Sequence, residues 1–238
     1  MAAVDPSVLE MPTDPGAGLM PYYRHLLDWT AAEVAGLSDE QLDLAEPDGP
    51  HEWRWWSIRR LVSHNAWTAL VFPRRRCAGL LWPDGDVPEP VVWDEIRLGP
   101  GARFDRMLDP ERFPDPASCL GMTALGLGWL EQVVREQSIE TLRDTVESVR
   151  GTHFWSYVIG VLPRGAGLDA ERPGSIRYTL EGSLWMVFYE LAAHVRTIQR
   201  MKVLQGLPPA VELPRFGYLR LPEYWGEDDR DGPSFDLL

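Results

Sequence analysis

Glu190 and His194 stand four residues apart in the stretch with the longest helical pattern, which runs from Leu180 to Gly206 behind Thr179 as a capping residue. On an α-helix, side chains at positions i and i+4 lie on one face, one turn apart. A carboxylate and an imidazole placed side by side can share a divalent cation, provided that a third ligand arrives from elsewhere in the fold. The same spacing also suits a plain hydrogen-bonded pair, so these two residues alone leave both interpretations open.

His64 is the candidate for the third ligand. It lies in a second helical stretch that is apolar around much of its circumference, so we expect this helix to be buried among its neighbours. A buried imidazole needs a polar partner, and a cation would offset the cost of burying the carboxylate of Glu190. Three ligands on two helices leave coordination positions open, which is typical of a catalytic metal site rather than a structural one.

Four long helical patterns supply the elements that must position these residues. Ser57 and Thr179 are suited to cap the second and the fourth, and Gly206 with the prolines after it is typical of a helix end. Shorter helices are predicted over 38–43 and over Ile139–Val149. The four long patterns cover Met20–Ala35, Ile58–Pro73, Ala117–Gln137 and Leu180–Gly206.

A long connection separates the second helix from the third. Pro73 is predicted to kink or end the second helix, and residues 79–116 are dense in Pro, Gly and Asp. The apolar residues of this insertion, such as Trp82 and Trp93, indicate that it packs as an ordered flap. Because no clear strand alternation is present, the sequence predicts an all-α fold, a four-helix bundle with a long crossover connection between helices 2 and 3.

The sequence predicts one helical domain over residues 19–207, with the ordered insertion at 79–116 inside it. Residues 1–18, rich in Pro, Gly and Asp, are expected to form an irregular N-terminal arm. Residues 208–238 are expected to form an irregular C-terminal tail, aromatic in its first half and acidic in its second.

The composition excludes several classes of function. A formal charge of −13 repels nucleic-acid phosphates, so no nucleic-acid partner is expected. The N-terminal residues show no basic region followed by an apolar run, and no apolar stretch reaches membrane length, so we expect a soluble cytoplasmic protein without a membrane partner. Cys77 and Cys119 are too few for a disulfide framework or a cysteine-based zinc site, and we expect both to be small buried residues.

Two segments resemble the DinB/YfiT-like superfamily of metalloenzymes. The segment WSIRRLVSHNAW is similar to the second helix of that superfamily, whose metal-binding histidine corresponds to His64. The segment WMVFYELAAHVRTIQRMKVLQGLP is similar to its last bundle helix, which usually reads His-x3-His-Arg-Gly-Gln-Ile. His194 and Ile198 match the second histidine and the isoleucine. The resemblance covers roughly residues 19–207.

This chain departs from the superfamily pattern at two places in the last helix. Glu190 replaces the first histidine, and residues 195–197 read Val-Arg-Thr where the pattern has Arg-Gly-Gln. A glutamate at this ligand position resembles the branch of mycothiol-dependent maleylpyruvate isomerases, whose zinc is held by His, Glu and His. The resemblance therefore implies that His64, Glu190 and His194 are the metal ligands here.

The resemblance also implies an activity. It indicates a divalent metal ion, with zinc favoured and nickel as the alternative. It further indicates a transferase that activates a low-molecular-weight thiol, such as mycothiol, bacillithiol or glutathione, toward a small electrophilic substrate. A metal-dependent hydrolase of the YfiT type and a non-catalytic metal- or small-molecule-binding protein are the alternatives. Superfamily members often pair through helices, so a homodimer is compatible with the resemblance.

The remaining candidate residues have simpler interpretations. His25 on the first helix is expected to be a surface or packing residue. His51 and His153 lie in predicted loops, from which either could reach the mouth of a pocket. Arg74–Arg76 could hold an anionic substrate, although a solvated basic last turn of the second helix is the favoured interpretation.

Overall fold

The computed structural model describes residues 15–45, 56–96, 104–144, 146–150, 159, 162 and 165–220. The described chain is mainly helical, as the sequence predicted, although a small sheet departs from the predicted all-α fold. Four of its helices are long, and a shorter helix precedes or follows several of them. The bounds are α1 (Pro15–Val34), α2 (Asp39–Asp43), α3 (Ile58–Arg76), α4 (Ala78–Leu81), α5 (Pro116–Glu136), α6 (Ile139–Asp144) and α7 (Leu180–Leu204), with 3-10 helices at Trp93–Glu95 and Gly217–Arg220.

The four long helices contact one another in a closed series. Helix α1 contacts α5 and α7, and helix α3 also contacts α5 and α7. The approach of α3 to α5 is close at Gly126, where an added Cβ would collide with the backbone of Ala69. Glycine permits this approach because it has no Cβ. The packing makes α3 and α7, which carry the three candidate ligands, direct neighbours.

The predicted caps set the start of both ligand-bearing helices. Ser57 accepts a hydrogen bond from the backbone N–H of Arg60, and Thr179 accepts one from the backbone N–H of Gly182. Each cap satisfies a donor that the first helical turn leaves without a partner. Pro73 does not end α3, because the helix continues to Arg76 and the N–H of residue 77 donates to the Pro73 carbonyl at 2.8 Å.

A three-stranded antiparallel sheet, which the sequence did not predict, precedes α7. Its strands are β1 (Val146–Arg150), β2 (Ala166–Leu168) and β3 (Ser175–Thr179), in the order β1-β3-β2. The helix predicted over Ile139–Val149 is therefore wrong beyond Asp144, where α6 ends. Valines suit strands at least as well as helices, and pairing with β3 decides the conformation of this stretch.

The last described segment packs against α7. Phe216 stacks on Phe188 with ring centroids 5.2 Å apart, and the Tyr218 ring lies 5.9 Å from that of Tyr189. In the helical pattern of α7, Tyr189 and Ala193 lie on the opposite side from the main apolar stripe, yet both are buried. Helix α7 is thus enclosed on almost every side, which its amphipathic pattern alone did not predict.

A buried carboxylate fastens this segment to two helices. Glu33 of α1 accepts hydrogen bonds from Lys202 Nζ at 2.6 Å and from Gln199 Nε2 at 2.7 Å. It also accepts bonds from the backbone N–H groups of Ala210 and Val211, each at 3.0 Å. Such a fully buried carboxylate is tolerated because its charge is paired and its oxygens are satisfied.

The boundaries of the predicted domain differ in detail from the structure. Helix α1 begins at Pro15, five residues before the predicted Met20, while residues 1–14 and 221–238 lie outside the described chain. Apolar residues of the insertion, among them Val91 and Leu108, are buried against the helices. In the part of the chain that the structure describes, no helix combines the length and hydrophobicity needed to cross a bilayer.

We predict that Glu33→Ala lowers the free energy of unfolding by about 3–5 kcal/mol, because it leaves the buried ammonium of Lys202 without its counter-ion. Lys202→Met should cost less, since Glu33 keeps its backbone and amide donors. Urea unfolding of the two variants measures the difference. Equal losses for both would contradict the view that the carboxylate is the central member of this network.

Candidate metal centre

The structure brings the three predicted ligands together at the contact between α3 and α7. His64, Glu190 and His194 each offer one ligand atom, and these atoms all lie within 4.8 Å of one another. The two imidazole rings stand nearly perpendicular, with their centroids 4.6 Å apart. Both histidines are buried and Glu190 is partly buried. Two segments far apart in the sequence therefore meet in one compact group of donors.

The orientation of the His64 ring is fixed by the insertion. Its Nδ1 lies 2.7 Å from the backbone carbonyl of Arg106. Because a carbonyl oxygen can only accept, Nδ1 carries the proton and Nε2 presents a lone pair, the arrangement in which a histidine binds a metal. The Thr68 hydroxyl, one turn further along α3, lies 3.4 Å from Nε2. Among the described contacts of His64, Thr68 therefore carries the hydroxyl that lies nearest to Nε2, the expected ligand atom.

Backbone contacts hold Arg106 in place to make this bond. Arg106 has φ +53°, in the left-handed region that non-glycine residues rarely adopt. Two residues on, the backbone N–H of Leu108 donates to Ser63 Oγ at 2.9 Å. Adjacent residues of α3, Ser63 and His64, therefore both bind the insertion, which gives residues 104–108 a definite place beside the donor group.

Two indole rings line the site around His64. The Trp56 ring meets His64 edge-on at 5.1 Å between centroids, and the Trp67 ring stacks on it at 5.5 Å. Both tryptophans are buried. These apolar walls lower the local polarity, which strengthens every electrostatic interaction at the donor group.

Burial moves all three donors toward their neutral forms. Burial lowers the pKa of His64 to about 4, and the guanidiniums of Arg106 and Arg60 act in the same direction, while the bond to the Arg106 carbonyl opposes them. Burial also lowers the pKa of His194, with smaller contributions from His64 and Arg106. The pKa of Glu190 is raised by burial, against the arginines near it.

This donor set fits a divalent cation. Neutral imidazole is the form that binds a metal, and both histidines are held in it. Burial disfavours a negative charge on Glu190, and a cation beside it would restore the carboxylate. Two imidazoles and one carboxylate are also the ligands of catalytic zinc sites, which keep a position open for water or substrate. The group can therefore hold a metal ion, as the sequence predicted.

Sequence reasoning missed the arginines near the donor group. Arg60 lies one turn before His64 on α3, so its i−4 spacing could have placed it on the same face. Arg106 lies in the insertion, where the sequence has no periodic pattern from which its position relative to His64 could be predicted. Arg76, expected at a solvated helix end, is instead half-buried and donates to Ser183 Oγ at 3.2 Å.

The other candidate residues lie away from the site or outside the described chain. His25 stacks on Trp29 at 5.7 Å between centroids, as a packing residue does. His51 and His153 lie outside the described residues. Cys77 and Cys119 are buried free thiols, and burial raises the pKa of Cys119 to about 11, so this residue stays a thiol at neutral pH.

Comparison with protein-family models, with curated proteins and with solved structures gives no match to this chain. The resemblance to the DinB/YfiT-like superfamily therefore stays a prediction from the two helical segments. The case for a metal centre rests on the geometry and chemistry of His64, Glu190 and His194 themselves.

We predict that the protein binds one equivalent of Zn²⁺ and that His194→Ala weakens this binding by more than about a hundredfold. Loss of a residue that only hydrogen-bonds to a ligand weakens metal binding by up to about a hundredfold, so loss of a ligand itself should cost more. Metal analysis after dialysis measures the content, and circular dichroism checks that the helices remain. The matched control is His25→Ala, which should keep its zinc. Unchanged metal content in His194→Ala would count against the ligand assignment.

The metal-free protein should lose stability as the pH falls from about 6.5 to about 4. In this interval the unfolded chain protonates its histidines while folded His64 resists, so protonation favours unfolding. The pKa of His64 predicts a loss of about 3 kcal/mol in the free energy of unfolding, at 1.36 kcal/mol for each pKa unit. His64→Gln removes this contribution, so the difference between the two pH profiles isolates it. Parallel profiles would show that His64 titrates normally.

Proposed function

We propose that this chain is a divalent-metal-dependent enzyme of the DinB-like type that transfers or activates a low-molecular-weight thiol. The observation that carries the proposal is the placement of the ligand atoms of His64, Glu190 and His194 within 4.8 Å of one another. A His-Glu-His set favours zinc, with nickel as the alternative metal. The homodimer and the cytoplasmic location stay predictions from the sequence.

The arrangement of the helices supports a DinB-like bundle. Helices α1, α3, α5 and α7 contact one another in a closed series, and the connection from α3 to α5 is long. The donors come from the second and the last of these four helices, as the resemblance implies. The sheet before α7 and the segment 208–220 are additions to that pattern, and neither displaces a ligand-bearing helix.

The chemistry of the site divides between the metal and the chain. A zinc-type ion supplies Lewis acidity, which lowers the pKa of a thiol or a water so that a nucleophile exists at neutral pH. The Arg106 carbonyl keeps the proton of His64 on Nδ1 and so keeps Nε2 available. The rings of Trp56 and Trp67 limit water around His64, and the Thr68 hydroxyl lies 3.4 Å from its Nε2.

A hydrolase is the second candidate, because His, Glu and His also hold the zinc of metal-dependent hydrolases. In that case Glu190 serves only as a ligand and water takes the place of the thiol. The third candidate is a protein that binds a metal or a small molecule without turnover. The same purified protein distinguishes the three.

We predict that 2-mercaptoethanol raises the melting temperature of the zinc-loaded protein, whereas ethane-1,2-diol, which has a hydroxyl in place of the thiol, does not. Dialysis against a chelator should abolish the effect. A transferase will also consume free thiol in the presence of 1-chloro-2,4-dinitrobenzene faster than the same protein carrying His64→Ala.

Each alternative gives a different result. Zinc-dependent cleavage of p-nitrophenyl acetate without thiol, and without any thiol-induced stabilisation, would favour the hydrolase. Stabilisation by the thiol without turnover of either substrate would favour the binding protein. If thiols neither bind nor stabilise the zinc-loaded protein, the transferase proposal loses its basis.

A further inference from the structure

A small cavity opens on the surface beside the last turn of α3. Its volume is about 260 Å³, and it is lined by Arg74 of α3 and by residues 89, 91–94 and 112 of the insertion. Arg74 follows His64 by ten residues on the same helix, which corresponds to about 15 Å along the helix axis. None of the three candidate metal ligands lines the cavity. It is therefore a second site, separate from the metal centre.

Two guanidiniums at this cavity are held in place with N–H groups still available. The guanidinium carbon of Arg74 lies 4.2 Å from the centroid of the Trp93 ring. A cation over an aromatic face is stabilised without using its N–H donors, which stay available for other partners. Arg112 is fixed through Nη2, which donates to the Pro90 carbonyl at 3.2 Å. Among the residues that the structure describes, neither arginine has an anionic partner.

Two carboxylates belong to the same lining. Glu89 and Asp94 are exposed residues of the cavity, and their side chains form no ion pair within the described part of the chain. Opposite charges therefore share this cavity without neutralising each other directly. A ligand with one negative and one positive group can pair with both. A plain anion would instead meet two carboxylates, and a plain cation would meet two guanidiniums.

Apolar side chains complete the lining. Val91 is buried, whereas Val92 is 46% exposed and Trp93 is half-buried. The Trp93 ring also donates from Nε1 to the Pro88 carbonyl at 3.3 Å, so the segment that carries these side chains is tied internally as well as to Arg112. The cavity is slightly smaller than the pockets of about 300–1,000 Å³ that hold drug-sized molecules. Its lining thus suits a compact ligand with a short apolar group.

We propose that this cavity binds a small zwitterion, an α-amino acid with an apolar side chain. The guanidiniums of Arg74 and Arg112 hold its carboxylate. The carboxylates of Glu89 and Asp94 hold its ammonium group, and its side chain packs against the apolar lining. The inference goes beyond the proposed function and requires neither the metal nor a thiol.

The test compares three probes that share one branched chain. They are L-leucine, 4-methylpentanoate, which lacks the ammonium group, and 3-methylbutan-1-amine, which lacks the carboxylate. Calorimetric titration of the full-length protein should give about tenfold tighter binding of L-leucine than of either analogue, because each analogue loses one set of charge-assisted hydrogen bonds.

Variants assign this binding to the cavity. Arg74→Gln and Arg112→Gln should each weaken L-leucine binding about tenfold. Glu89→Gln should weaken L-leucine but tighten 4-methylpentanoate, since it removes a negative charge that repels the anion. The matched control is Arg75→Gln, because Arg75 is the exposed neighbour of Arg74 and does not line the cavity.

Circular dichroism checks that each variant keeps its helices. If Arg74→Gln does not fold, Arg74→Lys takes its place. It should keep only part of the affinity, because lysine retains the charge without the paired N–H donors.

Amino acids also chelate zinc, so His194→Ala distinguishes the two sites. This variant should bind L-leucine as tightly as the unchanged protein does. Binding that is lost in His194→Ala but kept in Arg74→Gln would place the ligand at the metal and overturn the inference.

The analogues give the remaining outcomes. If 4-methylpentanoate binds as tightly as L-leucine, the cavity is a plain anion site, and if the amine does so, it is a plain cation site. Either result overturns the inference. Absence of binding of all three probes at millimolar concentration also overturns it, and leaves the metal centre and the proposed function standing.

Discussion

The contact between α3 and α7 is the constraint on which the structure depends, because it places the three candidate ligands His64, Glu190 and His194 in a region from which water is largely excluded. Buried imidazoles and a partly buried carboxylate are costly unless something satisfies them. The fold meets part of this need at His64, through the Arg106 carbonyl and the aromatic rings around the imidazole. The ligand atoms of His64, Glu190 and His194 lie within 4.8 Å of one another, and this closeness is the physical reason to interpret the group as a metal centre.

The rest of the molecule holds that contact in place. Helix α7 is enclosed by α1, by α3, by the sheet that leads into it and by the segment 208–220. The Glu33 network ties α1 to α7 and to Ala210, so the outer side of α7 cannot shift freely. On the inner side, the insertion is fastened through Ser63 and His64 themselves. The long crossover, whose role the sequence did not reveal, is therefore part of the wall of the site.

Much of the framework could be predicted from local chemistry. The signals that predict the helices are properties of short segments: the caps at Ser57 and Thr179, the period of the apolar residues and the i,i+4 spacing. The helices and two of the three candidate ligands could therefore be predicted directly from the sequence. The third ligand, His64, was found through the apolar helix that carries it and through the resemblance. The sheet, the cover over Tyr189 and the position of Arg106 depend on contacts between distant segments, for which one sequence carries little signal.

The most direct test of the central claim is X-ray diffraction from crystals grown with zinc, using the anomalous signal at the zinc absorption edge. A single ion should lie between His64, Glu190 and His194, at about 2.0–2.2 Å from one nitrogen of each histidine and one carboxylate oxygen. The His64 ring should still direct Nδ1 toward the Arg106 carbonyl. A zinc-grown crystal with no anomalous peak joining these side chains, or with its zinc bound elsewhere, would contradict the metal centre and every function argued from it.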